Sequence, residues 1–400
     1  MAKSRAVVDD FLAGGTAVAG PATGGESKSD NRFNRLPSLT GLRFVAALCV
    51  FAYHAWLPIP ALRLVDDDSV AYGVYDKVSQ AGGLGVGFFF VLSGFILTWS
   101  ARPGEDAKSF WRRRIVKIYP NYVVAWTLAM VLFAAAYTPA WRAIVNLFTL
   151  QVWMPDFDTN FSVDPPSWSL GAEAFFYACF PLLLALATRI RPDRLKYWIG
   201  GVAALVVLKP VVAYLLLPDA PAIPGESTVS VSQYWFGYLL PPVRVLDFAL
   251  GILVARAVMT GRWRNIGMVA SVVLLAGGYW LAESVPYLYG QSALFVIPAA
   301  LLIAAAATAD REDRHTIFNG RVMTWLGEIS FAFYLVHFIV LAYGRSLLGD
   351  GYFSTTATVG LLAAEVVVSV AVAWMLYALV ERPITRRWSA PGRSRTESLH

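Results

Sequence analysis

An arginine and a histidine interrupt one long apolar stretch near the start of the sequence. Arg43 and His54 lie eleven residues apart within residues 39–56, where most other side chains are apolar. An imidazole can take a proton from a hydroxyl group, and a guanidinium can stabilise a developing oxyanion or bind phosphate. In a helix this spacing is about 20° from three full turns, so both side chains would leave on one face, about 16 Å apart along the axis.

The stretch that carries this pair is long enough to form a membrane-spanning helix. About 20 apolar residues are needed to cross a hydrocarbon core of about 30 Å. Because an arginine near a helix centre costs roughly 2.5 to 3.5 kcal/mol on insertion scales, we expect Arg43 and His54 to face a cavity that is an active site within the membrane. Two structural alternatives remain open: Arg43 reaching lipid headgroups, and His54 being a hydrogen-bonded core histidine.

The composition indicates a polytopic membrane protein rather than a soluble one. Hydrophobic residues make up 57% of the 400 residues and charged residues 15%, whereas soluble domains are about 25% charged. The 14 Trp and 18 Tyr residues suit the aromatic belts of membrane interfaces. The formal net charge of +6 therefore does not indicate nucleic-acid binding, and Cys49 and Cys179 indicate neither a disulfide framework nor a metal site.

We predict an all-α protein of the cell membrane with about ten transmembrane helices and both termini in the cytoplasm. Most of the 33 Lys and Arg residues lie in alternate loops, and the loops between them hold only Arg63, Lys77 and Arg142, as the positive-inside rule requires. The apolar stretch 141–153 is short and is predicted to be re-entrant or interfacial. The predicted spans are about 38–57, 83–100, 117–137, 170–188, 196–217, 236–258, 265–282, 289–308, 325–347 and 356–380.

The chain divides into one membrane domain and two tails. Residues 1–36 are rich in Gly, Ala, Ser and charge, and they are predicted to be a disordered cytoplasmic tail. Residues 37–385 form the predicted transmembrane domain, and residues 386–400 form a basic cytoplasmic tail.

Further ionisable side chains lie inside other predicted spans. Glu173 lies four residues before Tyr177 in the fourth span. Arg244 and Asp247, three residues apart in the sixth span, share a helix face and are predicted to form an ion pair that holds helices together. His337, in the ninth span, is predicted either to hydrogen-bond between helices or to join the site.

A cluster of basic residues precedes the third span. Arg112, Arg113, Arg114 and Lys117 fall within six residues at the predicted cytoplasmic surface. Such a cluster sets topology and holds anionic lipid. It would also suit a multiply phosphorylated ligand, because arginine binds phosphate in bidentate fashion.

Seven stretches, in this order, resemble the acyltransferase-3 family of integral-membrane O-acyltransferases. The resemblance implies transfer of an acyl group, usually acetyl, from a coenzyme A thioester to a hydroxyl of a sugar or sugar-bearing compound. Single-module members of this kind resemble enzymes that acylate macrolides and other antibiotics, and enzymes that decorate envelope glycans. The matching stretches are 39–43 with His54, 87–95, the basic run that ends in 118–120, 168–170 with Glu173 and Tyr177, 244–251, 329–330 with 334–337, and 381–383.

The resemblance and the residue types together predict three catalytic residues. Arg43 and His54 correspond to the family's paired Arg and His. His54 would be the general base for the acceptor hydroxyl, and Arg43 would stabilise the oxyanion or hold the pantetheine and phosphate groups. Glu173 would orient a catalytic group or the acceptor. An acyl-imidazole on His54 is the competing, two-step route.

The predicted co-substrate is acyl-CoA, with acetyl-CoA expected, and no metal is predicted. Arg113, Arg114 and Lys117 would bind the coenzyme A phosphates, although Lys117 stands where the family often has a second arginine and lacks its bidentate fork. The predicted partners are a small-molecule or glycan hydroxyl acceptor and membrane lipid. A transporter with a buried Arg/His/Glu relay is the alternative from another class, and the oligomeric state, a homodimer included, stays open. The residues predicted to be substrate-binding or structural are Tyr177, Arg244, Asp247 and His337.

Overall fold

The computed structural model describes residues 36–102 and 104–388. Most of the predicted tails, 1–36 and 386–400, therefore lie outside the described residues, and the cytoplasmic location of both termini stays a prediction. At the carboxyl end a helix continues to Trp388, so the first residues of the predicted second tail are helical.

The described chain is mostly helical, with almost no strand. One short antiparallel hairpin, β1 (Ala222–Ile223) and β2 (Glu226–Ser230), lies in a loop between two spans. Three π-helical turns cover Trp235–Leu239, Tyr289–Ala293 and Tyr377–Glu381. The α-helices are α1 Pro37–Ala55, α2 Asp68–Val78, α3 Ala81–Trp99, α4 Ala107–Leu132, α5 Ala140–Leu147, α6 Phe157–Asn160, α7 Trp168–Arg189, α8 Leu195–Leu216, α9 Val231–Tyr234, α10 Pro241–Met259, α11 Met268–Leu281, α12 Leu294–Arg311, α13 Arg321–Leu347, α14 Thr355–Leu376 and α15 Arg382–Trp388.

Nine helical segments within the described residues are long and apolar enough to cross a membrane, which confirms the predicted all-α, multi-span fold. The predicted span 265–282 forms α11, which has 14 residues and is therefore about 21 Å long. That length is short of the hydrocarbon core, so the predicted ten spans become nine long segments and one shorter apolar helix. The stretch 141–153 forms α5 and a 3₁₀ turn, Gln151–Trp153.

A carboxylate of α12 fixes the start of α1. Pro37 occupies the first turn of α1, where its missing N–H is not needed. The backbone N–H of Ser38 donates to Asp310 Oδ2 at 2.9 Å, and the Ser38 hydroxyl donates to Oδ1 at 2.6 Å. A carboxylate at this end of a helix satisfies a free N–H group and complements the helix dipole. The position of Arg43, less than two turns further on, is therefore tied to α12.

α1 and α13 lie close together because α13 has a glycine at their contact. A Cβ atom added at Gly327 would overlap the backbone carbonyl group of Thr40. Further along both helices, the rings of Phe44 and Phe333 pack edge to face with centroids 5.3 Å apart. This packing holds the two helices side by side up to the level of their histidines.

Candidate active site

A cavity of about 200 Å³ lies between α1, α3, α4, α7 and α13. Its wall combines apolar side chains with polar ones from all five helices. The structure thereby brings together Arg43 and Glu173, which are predicted to be catalytic, with part of the predicted phosphate-binding cluster. The polar residues in the wall are Thr40, Arg43, Ser93, Arg114, Lys117, Ser169, Glu173, Tyr177 and Tyr334.

The cavity carries an excess of positive charge. Arg43, Arg114 and Lys117 share its wall with a single carboxylate, that of Glu173. In the part of the chain that the structure describes, none of these three cations forms a salt bridge. Unpaired cations in an enclosed site attract anions more strongly than exposed ones, because the local dielectric is lower than that of water. The cavity is therefore suited to an anionic ligand.

Arg113 differs from its two neighbours in the cluster. Its guanidinium forms a salt bridge with the carboxylate of Glu105. Its side chain does not line the cavity, whereas Arg114 and Lys117 do. Of the three residues predicted to bind phosphate, the structure brings two into the cavity wall and places the third in an ion pair outside that wall.

Glu173 is held by a side chain one turn further along α7. The Tyr177 hydroxyl donates to Glu173 Oε2 at 2.9 Å, and Ser93 Oγ on α3 lies 3.3 Å from the same hydroxyl. The indole N–H of Trp111 donates to the backbone oxygen of Tyr177 at 3.0 Å, which ties α4 to α7. These bonds fix a carboxylate in the wall of the cavity, where it can accept a hydrogen bond from a bound hydroxyl.

His54 pairs with His337, and the pair sets which nitrogens carry hydrogen. His337 Nδ1 lies 2.8 Å from the backbone oxygen of Tyr334, and a carbonyl oxygen only accepts, so Nδ1 is the protonated nitrogen of neutral His337. His337 Nε2 then accepts from His54 Nδ1, 3.1 Å away. His54 Nδ1 also lies 3.0 Å from the oxygen of Val50. In neutral His54 the free lone pair is therefore on Nε2, the nitrogen that a general base needs.

The cavity wall does not include His54. Its residue surface is 8% exposed, and its ring packs against Tyr53 and Phe338. The prediction that one face of α1 lines one cavity thus describes Arg43 but not His54. Tyr334 lies at the boundary, because its side chain lines the cavity and its ring centroid is 5.8 Å from that of His337. The histidine pair is inside the protein, behind this tyrosine.

Arg244 and Asp247 form the predicted ion pair, but a third residue belongs to it. Arg244 Nη1 lies 3.1 Å from Asp247 Oδ2, and Lys209 Nζ lies 3.2 Å from Asp247 Oδ1. The guanidinium lies between the rings of Phe90 and Tyr238, 4.8 and 5.1 Å from their centroids. The group lies outside the cavity and joins α8 to α10. The sequence feature that could have indicated the third member is Lys209 itself, a lone cation in an apolar span.

A buried carboxylate that the sequence reasoning did not assign lies near the cluster of basic residues. Asn121 Nδ2 donates to Glu381 Oε2 at 2.7 Å, and both residues are buried. Asn121 lies one turn after Lys117 on α4, so this bond joins the last span to the helix that carries the cavity cations. The sequence feature that pointed to Glu381 is the stretch 381–383, one of those that resemble the family.

Within the ranges that the structure describes, His, Cys, Asp and Glu side chains form no group of three that could hold a metal ion.

Within the described residues, these features define a multi-span helical membrane protein with a cationic cavity and a buried histidine pair. The chain belongs to the acyltransferase-3 family, because residues 36–378 match the family model described as "Acyltransferase domain". It is an enzyme that transfers acyl groups.

Two relatives show the range of the family. Acyltransferase MdmB of Streptomyces mycarofaciens is 40% identical over 367 residues, which cover 89% of this chain and 93% of the relative. Peptidoglycan O-acetyltransferase OatA of Listeria monocytogenes is 23% identical over 353 residues, which cover 78% of this chain and 51% of the relative. The chain thus spans nearly all of MdmB and about half of OatA. No solved structure matches the chain significantly.

Proposed function

We propose that this protein is an acyl-CoA-dependent O-acyltransferase that transfers an acetyl group to a hydroxyl of a sugar or sugar-bearing metabolite such as a macrolide. Family membership supports the transfer of an acyl group. The observation that carries the choice of donor is the set of three unpaired cations in the cavity, since coenzyme A is a multiply phosphorylated anion.

The donor enters from the end of α4 that is predicted to face the cytoplasm. Arg114 and Lys117 bind its phosphates, and Arg113 contributes less because Glu105 already neutralises it. Arg43 and His54 lie about 16 Å apart along the helix axis. When the thioester carbonyl is close enough to His54 to react with the acceptor hydroxyl, it is therefore out of reach of Arg43. Arg43 therefore holds the pantetheine or phosphate groups rather than the oxyanion, the second of the two roles predicted for it.

His54 is the general base in this proposal. Its Nε2 takes the proton of the acceptor hydroxyl as the hydroxyl oxygen attacks the thioester carbonyl carbon. The carbon–sulfur bond then breaks, and the imidazolium gives the proton to the departing coenzyme A thiolate. The Tyr334 side chain, which bonds to Ser169 Oγ at 2.8 Å and to the Pro166 oxygen at 3.0 Å, must rotate to open the path from the cavity.

Glu173 orients the acceptor in the cavity. Its Oε2 already accepts from Tyr177, so its remaining lone pairs are available to a sugar hydroxyl. An envelope polysaccharide or glycolipid is the alternative acceptor, supported by the peptidoglycan O-acetyltransferase among the relatives. Mass spectrometry of a deletion strain separates the two: an acetyl group missing from a secreted small molecule supports the metabolite, and one missing from a polymer supports the glycan.

The decisive experiment measures thioester consumption by purified protein in phospholipid nanodiscs supplied with radiolabelled acetyl-CoA and cell extract as the source of acceptor. We expect label to move to an acceptor, and we expect His54→Ala to be folded and inactive. A labelled protein formed without acceptor, with ping-pong kinetics, would replace direct transfer by the acyl-imidazole route. Transmembrane flux of a substrate without thioester consumption would instead establish the transporter and overturn the proposal.

A further inference from the structure

A second cavity of about 390 Å³ lies between α4 and α7. We name it the lateral groove; its wall runs along α4 from Trp111 to Tyr122 and includes Ala174 and Ala178 of α7. Eleven helical residues separate the two ends on α4, so the groove is about 16 Å long. Most of its lining side chains are apolar or aromatic.

The lateral groove opens to the surface that the two spans present to lipid. Ile115 is 61% exposed and Trp111 is 41% exposed, and the side chains of Ala174 and Ala178 are also exposed. All four residues belong to segments that are long and apolar enough to cross a membrane. In a bilayer, the Trp111 end of this opening lies near the headgroups, at the level of the basic cluster, and the rest of the opening faces acyl chains.

The lateral groove shares part of its wall with the charged cavity. Arg114, Glu173 and Tyr177 line both, together with Ile118 and Leu170. A molecule whose apolar body lies in the groove would therefore place a polar end against Glu173 and Tyr177. At the far end, the Tyr119 hydroxyl donates to the Leu147 oxygen at 3.2 Å, which anchors α5 beside the groove.

We propose that the lateral groove is the acceptor entrance, and that the acceptor is an amphipathic alcohol whose apolar body arrives from the bilayer. This inference rests on the proposed acyl transfer and names the class of acceptor. Glu173 accepts a hydrogen bond from the acceptor as it enters at the shared wall, before the acceptor reaches His54, while the donor occupies the cationic end of the cavity.

The shared wall favours an alcohol over the acyl chain of the donor as the occupant. A carboxylate gains a charge-assisted hydrogen bond from a hydroxyl, whereas an acyl chain offers it no donor. Burying apolar surface against the remaining lone pairs of Glu173 would instead cost free energy, because they would have no hydrogen-bond donor.

Photolabelling of the full-length protein in nanodiscs tests this assignment without requiring turnover. The probe is a long-chain alcohol that carries a diazirine, and its methyl ether is the matched control that lacks the hydroxyl hydrogen. A hydrogen bond to a charged group contributes about 1.5 kcal/mol or more, so we expect the alcohol to label peptides of α4 and α7 roughly tenfold more than the ether does. Ala178→Phe, which fills the groove, should remove this excess, and Leu182→Phe, at a 63% exposed position of the same helix, should retain it.

Three outcomes would overturn the inference. The first is equal labelling of the groove by the alcohol and the ether, and the second is an excess that survives Ala178→Phe. The third is preferential labelling by a diazirine fatty acyl-CoA, which would assign the groove to the donor chain. Loss of acyl transfer with groove labelling intact would contradict the proposed function but not the binding of an alcohol here, so the two failures are distinguishable.

Discussion

His337 Nε2 lies 3.1 Å from His54 Nδ1, and this contact joins the two histidines found inside membrane spans. The bond between His337 Nδ1 and the Tyr334 oxygen fixes the direction of the pair. Because each Nδ1 faces an acceptor, His54 presents an unprotonated Nε2. His337 is a positioning residue in this account, since it acts on the substrate only through His54.

Replacing His337 tests this role. Gln can place an oxygen near the position of Nε2 and accept from His54 Nδ1, whereas Phe cannot accept at all. We therefore expect His337→Phe to lower kcat by about 10²-fold, within the range for general-base catalysis. His337→Gln should restore much of this loss, and the KM for acetyl-CoA should change little in either variant. Equal losses in both variants would indicate a packing role and contradict the positioning role.

The bond from Tyr177 to Glu173 should control the binding of the acceptor. Tyr177→Phe keeps the ring but removes the hydrogen bond of 2.9 Å that holds the carboxylate. Hydrogen bonds to charged groups are worth about 1.5 to 3 kcal/mol, so we expect the acceptor KM to rise roughly tenfold. Steady-state kinetics with varied acceptor measure this change. Tyr197→Phe, at a 69% exposed tyrosine, is the control, and a Tyr177→Phe enzyme with unchanged acceptor KM would refute this function of the pair.

Asp164 should make the stability of the protein fall as pH rises. It is fully buried just before the fourth span, neither carboxylate oxygen has a hydrogen-bond partner, and burial raises its pKa well above the ordinary value of 3.8. The unfolded chain therefore loses this proton at a lower pH than the folded protein does. Between the two pKa values this group removes about 1.4 kcal/mol of stability per pH unit.

Asp164→Asn removes that penalty. We expect its thermal midpoint to exceed that of the unsubstituted protein at about pH 8, and the difference to shrink toward about pH 3, below the ordinary pKa, where the carboxyl is mostly protonated in both states. Thermal unfolding in nanodiscs across this range measures it. Asp66→Asn, at an exposed aspartate, is the matched control. A difference for Asp164→Asn that is constant with pH would show that titration of Asp164 is not the cause.

Gly327→Ala should separate α1 from α13. The added Cβ would overlap the backbone of Thr40, which cannot move without shifting a helix. Overpacking of this kind typically costs about 1 to 3 kcal/mol, and we expect a lower thermal midpoint and lower activity. Gly277→Ala is the matched control, because a Cβ there meets no atom within 4 Å. Equal midpoints for the two variants would contradict the tight contact.

The sequence predicted the class of fold and much of the cavity, because both depend on local patterns. Apolar length located the spans, and a lone charge in an apolar span marked Arg43 and Glu173. The i,i+3 spacing predicted the pairing of Arg244 with Asp247, but the addition of Lys209 depends on how α8 packs against α10.

The features that the sequence did not predict depend on contacts between helices that are distant in the chain. Helical spacing placed Arg43 and His54 on one face, yet neighbouring helices decide what each part of that face meets. The Tyr334 side chain separates the cavity from His54. The partner of His54, His337, lies 283 residues later in the chain. The spacing of the basic residues also does not predict that Glu105 pairs with Arg113, because the position of this loop carboxylate is fixed only in the folded chain.

The proposed donor site in the cationic cavity is tested by the binding of coenzyme A to the purified protein. Isothermal titration calorimetry in nanodiscs compares the unsubstituted protein with Arg114→Ala, Lys117→Ala and the control Arg112→Ala, an exposed cation on the same helix. We expect loss of either cavity cation to raise Kd roughly tenfold or more, and Arg112→Ala to leave Kd nearly unchanged. Equal effects of Arg112→Ala and Arg114→Ala, or no binding by the unsubstituted protein, would contradict the assignment of the cavity to coenzyme A.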